Sequence, residues 1–368
     1  MTEYEKFWDE LSGAYPISKG KFKISIAKNV FDLNSLLDSN FLDDLKKYLQ
    51  DLIDSLNEDL LKQRLTEHGD HEVAKTKYTG LTGVVRFDCM LDKESKQLKI
   101  IELNSDYPDG FLLHDKTFSV LRKNNESLHR SFLSDLVKGE EYVFILFPED
   151  ADFLDAYHSE YEYLLETGLK VGIGTVKDLS LKDNFYWHGT NKISLIRRCC
   201  EVYKLPKSFF RETETKIVNS LYKRALGYKD CLVGDHKFLL KTKDILQENL
   251  ADLIEQKDKW VLKPTNLSEG KGIILGINTS KNDWIDLLNQ VNKEGNHIMQ
   301  EYLNPDKISI EYFSDGEIKK GEFYFDICPH FLIKDNQVVG TGHILMRFSE
   351  DKILNVAKGG AIGYGSIS

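Results

Sequence analysis

Two short stretches set hard oxygen donors and a guanidinium at alternate positions: Arg86-Phe87-Asp88 and Glu102-Leu103-Asn104. Successive side chains of an extended chain point to opposite faces, so Arg86 shares a face with Asp88, and Glu102 with Asn104. The polar turn 92–97 joins the two strands, and a turn centred on Ser95 sets Asp88 opposite Glu102 and Arg86 opposite Asn104. Cβ atoms of such pairs lie about 4.5–5.5 Å apart, and two facing carboxylates destabilise a hairpin unless a cation lies between them. Carboxylate and amide oxygens are the donors Mg²⁺ prefers, with its other positions kept for water and phosphate. Arg86 beside them would hold a phosphate through a forked contact. A solvated face on which Arg86 pairs a carboxylate has the same pattern. The face carries no Lys, Thr or Ser as filler, which favours a site. Val85, Phe87 and Cys89, with Ile101 and Leu103, are expected to face the core.

A second group lies further along the chain. The run Trp260-Val261-Leu262 reads as a buried strand and leads into Lys263-Pro264 and a polar turn, 265–273, holding Gly270, Lys271 and Gly272. A lysine at the end of a buried strand needs an anionic partner. Backbone N–H groups in a glycine turn after a strand can approach phosphates, and an ordinary hairpin loop would read identically. Neither GxxxxGK[ST] nor GxGxxG is present. Lys237 opens a helix-like stretch and alone suits a surface position. Gln300, Glu301 and Leu303 lie where a strand gives way to a polar break, a place where backbone could border a flat heterocycle.

The elements that must position these residues are those of a mixed α/β chain. Its 368 residues, 41% hydrophobic with 20 Phe, 17 Tyr and 4 Trp, exclude a disordered polymer and suggest two or three domains. A net charge of −10 is wrong for a diffuse nucleic-acid binder, while leaving room for a local basic pocket. Five cysteines without a CxxC spacing argue for reduced thiols. The longest apolar runs, such as 142–147, fall far short of the ~20 residues that span a bilayer. The first residues are acidic and aromatic, unlike a leader. A cytoplasmic protein with no membrane and no nucleic-acid partner is expected. Most of the first 80 residues read as helical, with Phe41, Leu45, Leu49, Leu52, Ile53 and Leu56 on one face of a helix over 41–61. Strands over 142–147, 171–176 and 192–197, with a helix over 152–167, predict a small parallel βαβ layer. A helix follows over 214–226, then strands 260–262 and 273–275, a helix over 284–291 and a strand over 297–300. From residue 308 the chain is rich in strands. The boundaries expected are 1–137 for the helices and hairpin, 138–230 for the parallel subdomain, and 231–368 for the lysines, glycine loop and last strands.

Together these pieces resemble the ATP-grasp ligases, and within them the circularly permuted branch that includes glutathionylspermidine synthetase. The resemblance rests on the order R-F-D, then I-E-L-N-S-D-Y-P, a βαβ segment ending in I-R-R, K-F-L-L, V-L-K-P, a Gly-rich loop, Q-E, and Asn355-Val356-Ala357-Lys358-Gly359-Gly360. It covers most of residues 80–368. No amidase domain of the kind some of those enzymes carry is expected, because the first 80 residues are too few and too helical. The resemblance implies a permuted ATP-grasp fold with ATP and Mg²⁺ as cofactors. It implies that Asp88, Glu102 and Asn104 hold the metal and that Arg86 contacts the transferred phosphoryl group. Lys237 and Lys263 would contact ATP, Gly270, Lys271 and Gly272 would close over its phosphates, and Gln300, Glu301 and Leu303 would border adenine and ribose.

The reaction so implied joins a carboxylate to an amine through an acyl phosphate, with ADP and phosphate released. It is carried by positioning and charge neutralisation, so no Ser/His or Cys/His nucleophile is needed. His114 or His330 would be candidates to deprotonate the amine, although a structural histidine reads the same way. The partners expected are a small-molecule carboxylate and an amine, drawn from amino acids, peptides and polyamines; the resemblance also allows a homodimer. Two alternatives stay open: acyl transfer to a carrier-protein thiol or peptide terminus, and an ATP-binding regulatory protein without turnover.

Overall fold

The computed structural model describes residues 2–14, 25–37, 39–108, 111–122, 128–151, 154–233, 236–267, 270–354 and 360–367. Along the chain, α1 (Glu3–Ala14) and β1 (Ser25–Asp32) precede two amphipathic helices, α2 (Phe41–Asp54) and α3 (Glu58–Glu67). The single helix predicted over 41–61 is interrupted because Asn57 is extended and its side-chain oxygen accepts the Leu60 N–H, which caps a new helix. The short α4 (His71–Ala74) leads to the hairpin β2 (Gly83–Leu91) and β3 (Leu98–Asn104). Next come α5 (Phe111–Arg122), α6 (Leu128–Val137), β4 (Val143–Leu146), α7 (Leu154–Glu166) and β5 (Val171–Gly174). Four short strands follow: β6 (Leu179–Lys182), β7 (Phe185–His188), β8 (Asn191–Lys192) and β9 (Leu195–Arg198). Then come β10 (Lys216–Val218), β11 (Thr242–Asp244), α8 (Leu250–Glu255), β12 (Trp260–Pro264), β13 (Ile274–Leu275), α9 (Lys281–Glu294) and β14 (His297–Glu301). Long strands close the chain: β15 (Lys307–Ser314), β16 (Glu317–Lys334), β17 (Gln337–Ser349) and β18 (Ala361–Ser366).

Seven strands form the central sheet in the order β15-β1-β18-β17-β16-β2-β3. Only β1 and β18 run parallel within it. One face packs on α2 and α3 through Val85, Phe87, Ile327 and Phe331. On the other, Phe7 and Leu11 of α1 pack against Phe313, Leu345 and Tyr364. The predicted parallel layer is present as the sheet β10-β9-β4-β5, every pair parallel. Its edge strand takes up part of the helix predicted over 214–226. Lys216–Val218 pairs with Leu195–Arg197, Asn219 turns into a left-handed conformation, and only a tight 3₁₀ turn, Leu221–Leu226, is left helical. Tertiary pairing thus overrides local helix propensity. A third sheet, antiparallel, runs β11-β14-β12-β13 and packs on α8 and α9 around Trp260, Trp284, Leu288 and Met299. The stretch opened by Lys237 is a turn, not a helix.

All five cysteines are free and four are buried, in keeping with the reduced thiols expected from their spacing. Among the described residues no helix is long and apolar enough to cross a membrane.

The hairpin register follows the predicted turn, with Arg86 opposite Asn104 and Asp88 opposite Glu102. It then slips by one residue, so that Cys89 faces Ile100. Ile101 is the extra residue of a β-bulge. Hence Leu98, Ile100 and Leu103 are the buried core residues of β3, and Ile101, expected in the core, is half-buried.

The start of β2 is held just as closely. Gly83 has φ +136°, and a β-carbon there would lie 2.2 Å from Asn219 Oδ1 and 2.8 Å from Lys223 Nζ. Gly83→Ala is therefore expected to cost about 3 kcal/mol of stability through overpacking and backbone strain, read as a lowered urea midpoint. An unchanged midpoint would contradict this packing.

Candidate active site

Asp88 is the most enclosed charge of the hairpin, its side chain 1% exposed. Its Oδ1 accepts Arg86 Nε at 2.8 Å, and its Oδ2 accepts Arg86 Nη2 at 3.3 Å, Asn104 Nδ2 at 2.9 Å and Arg347 Nη2 at 2.7 Å. Burial alone would raise its pKa, but the Arg347 and Arg86 guanidinium groups outweigh that and hold it at about 2. Arg347 stands on β17 opposite Asp326 of β16. Its Nε lies 3.2 and 3.1 Å from the two Asp326 oxygens, and its Nη2 also bonds Asp326 Oδ2. The Cys328 thiol donates to Asp326 Oδ1 at 3.2 Å.

Glu102, opposite Asp88 in register, meets different partners. Its carboxylate is 3.3 Å from Lys229 Nζ, and the same ammonium donates to the Leu267 carbonyl in the loop after β12. Lys263 reaches across from β12. Its Nζ donates to Gln300 Oε1 at 2.6 Å and to the Ile101 carbonyl at 3.3 Å. The β-bulge explains the second bond, because the extra residue leaves the ladder and its carbonyl can turn to another sheet. Burial lowers the Lys263 pKa to about 8, with Glu102 pulling the other way and Lys229 adding to the fall. The anionic partner that a buried lysine requires is thus Glu102, felt through space, while the direct contacts are neutral oxygens.

Asp106, two residues beyond Asn104, fixes the end of β3. It accepts Arg198 Nη1 at 2.8 Å, the Val202 N–H at 2.9 Å and Arg224 Nη1 at 3.2 Å. Arg198 ends β9, so this buried cluster ties the parallel sheet to the hairpin.

The structure brings Arg86, Asp88 and Asn104 together, and places Glu102, Lys263 and Gln300 in one neighbouring cluster. Lys237 is apart from both. It is exposed, pairs with Asp44 of α2 at 2.5 Å and lies over the Phe238 ring. Lys229, unmarked in the sequence reading, stands beside Glu102 instead. Gly270 and Gly272, each at φ +71°, lie in a loop that joins the adjacent antiparallel strands β12 and β13, and Lys271 there is exposed. A β-carbon on Gly272 would lie 2.7 Å from Pro264 Cγ, so glycine is required at this turn. Glu301 is exposed, and Leu303 is buried with Met90 and Leu240. His330 is buried with its Nδ1 2.9 Å from the His343 carbonyl, a structural position. The His114 side chain and residues 355–359, the body of the expected N-x-x-x-G-G element, lie outside the described residues.

Asp88, Glu102 and Asn104 do not form a three-donor cation site as they stand. Both Asp88 oxygens are taken by N–H donors, and Asn104 turns its amide nitrogen towards Asp88. The donors that remain are the Glu102 carboxylate, 24% exposed, and the Asn104 carbonyl oxygen.

No family model matches the chain, and no curated protein matches it. Among solved structures it is similar to a glutathione synthetase-like effector (GSS30) from Globodera pallida in its apo form. The TM-score is 0.59 at 13% identity, over 100% of this chain and 98% of that one. A putative gamma-glutamylcysteine synthetase from Methylobacillus flagellatus KT matches at TM-score 0.46 and 13% identity, over 83% and 82% of the two chains, too slight to build on. The chain therefore has a mixed α/β fold with a parallel sheet, similar in structure to that of the glutathione synthetase-like effector.

Because the folded Lys263 pKa lies below its unfolded value of 10.5, the unfolded chain binds more protons between about pH 8 and 10.5. Stability from this group is therefore lowest below pH 8 and rises through that window. Relative to Lys263→Met, the wild type is expected to gain on the order of 3 kcal/mol between pH 8 and 10.5, read from urea midpoints. Parallel curves for the two proteins would contradict the burial of Lys263.

Proposed function

We propose that the chain is an ATP-dependent carboxylate–amine ligase of the permuted ATP-grasp type, forming an amide or peptide bond through an acyl phosphate. One observation carries the reading: Lys263, from the antiparallel sheet, crosses to the bulge of β3, where Lys229 and Glu102 already meet. A lysine of the antiparallel sheet and a lysine of the 3₁₀ turn Lys229–Leu232 thus converge on one edge of the hairpin, within a fold similar to that of a synthetase-like protein.

In the first step a carboxylate oxygen of the substrate forms a bond to the γ-phosphorus of ATP. The bond from that phosphorus to the β–γ bridging oxygen breaks, and ADP leaves. Arg86 neutralises the moving phosphoryl group, while Lys263 and Lys229 hold the phosphates in line. Lys229 takes the place that the resemblance gave to Lys237. In the second step the amine nitrogen attacks the acyl carbon, phosphate departs, and the amine proton passes to solvent. Glu102 and the Asn104 carbonyl are the donors left for a Mg²⁺ arriving with the nucleotide. The carboxylate and amine belong to the pool of amino acids, peptides and polyamines. A nucleotide-binding protein without turnover is the second reading, favoured by the full engagement of Asp88 with arginines.

ADP release with Mg·ATP and pooled carboxylates, with hydroxylamine as a trap, tests the proposal. An acid-dependent hydroxamate is expected, and ADP release without hydroxamate would contradict it. Glu102→Gln is expected to lower turnover by about 10²–10³-fold, the scale of one lost electrostatic group. Lys229→Met should lose at least about tenfold, and Lys237→Ala less than about twofold, since only Lys229 reaches the cluster. Equal losses at the two lysines would restore Lys237 to the nucleotide site.

A further inference from the structure

The ligand atoms of Asp88, Asp326 and Cys328 all lie within 4.8 Å of one another, a spacing that resembles a metal pocket. Two carboxylates so close and so buried, 1% and 0% exposed, cannot both stay ionised without a cation between them. The cation is already present. Arg347 Nη2 donates to Asp88 Oδ2 at 2.7 Å and to Asp326 Oδ2, and its Nε lies near both Asp326 oxygens. Arg86 closes the other side of Asp88 with a fork, Nε to Oδ1 and Nη2 to Oδ2. Two guanidinium groups and two carboxylates sum to zero charge. A divalent cation bound by Asp88 would have to displace one arginine and strand a buried charge.

We infer that Asp88 and Asp326 are positioning residues, the fixed counter-ions of Arg86 and Arg347, and that Asp88 is not a metal ligand. The register supports this. Asp326 faces Arg347 directly across β16–β17, and Asp88 lies one strand over, level with Cys328. Among the described residues nothing accepts from Nη1 of Arg86 or Arg347, and the two side chains are 12% and 17% exposed. The buried acids therefore fix both guanidinium groups through Nε and Nη2 and leave the Nη1 groups for an incoming oxyanion. Only the metal arm of the test below rests on the ligase reading.

The test compares wild type with Asp88→Asn, Asp326→Asn and Glu102→Gln in two measurements: thermal unfolding in EDTA without nucleotide, and Mn²⁺ binding in the presence of AMP-PNP by electron paramagnetic resonance. Asp88→Asn and Asp326→Asn are each expected to lose about 5 °C or more in EDTA, as for a broken buried ion pair. Asp88→Asn should keep its Mn²⁺ affinity within about threefold, while Glu102→Gln loses at least about tenfold. An Asp88→Asn protein with unchanged or raised Tm in EDTA and no Mn²⁺ affinity would overturn the inference, because Asp88 would then be a metal ligand. If wild type binds neither Mn²⁺ nor AMP-PNP, the ligase proposal fails and the unfolding arm alone decides the inference. If Asp88→Asn does not fold, Arg347→Lys serves in its place. Lysine keeps the charge without the planar fork, so a fall in Tm supports the inference and an unchanged Tm overturns it.

Discussion

A carboxylate sealed inside a protein at neutral pH must be met by charge and by hydrogen bonds, and Asp88 sets that demand on four strands at once. Arg86 comes from its own strand, Asn104 from β3, and Arg347 from β17, past β16, which adds Asp326. A one-residue slip in any of these pairings would turn a partner to the opposite face and leave the charge unpaired. The ionic cluster and the sheet register therefore specify each other. The same alternation gives β2 and β16 their apolar face, where Phe87, Ile327 and Phe331 meet the helices α2 and α3.

The irregularity of the hairpin lies where the antiparallel sheet meets it. A regular ladder would carry Cys89 opposite Ile101 and keep the Ile101 carbonyl within the hairpin. The bulge releases that carbonyl to Lys263, and with it the antiparallel sheet docks on the edge of the central one. Lys229 reinforces the junction by holding Glu102 and the Leu267 carbonyl together. The edge of β3 is thus covered by polar contacts, whereas Asp88 and Asp326 are enclosed.

The hairpin was legible in the sequence because strict alternation, with four polar residues on one face, fixes both strand direction and register. The parallel layer was legible from short apolar runs around one helix. Non-local facts were not. Asp326 and Arg347 sit in long, mostly apolar strands, and their meaning depends on which strand lies next to which. The alternating Asp326, Cys328 and His330 within β16 was the available signal. Lys237 and Lys229 differ by eight positions in a stretch without clear periodicity, so sequence order alone could not choose between them. The bulge, the break at Asn57 and the pairing of Lys216–Val218 all follow from contacts distant in sequence.

In the proposed ligase a substrate carboxylate attacks the γ-phosphorus of ATP at the junction of the two sheets. The most direct measurement follows oxygen. With carboxylates labelled with ¹⁸O, the phosphate released in a complete reaction should carry one labelled oxygen from the acid. Phosphate that takes its new oxygen only from water would mean hydrolysis without carboxylate activation, and would contradict the ligase assignment.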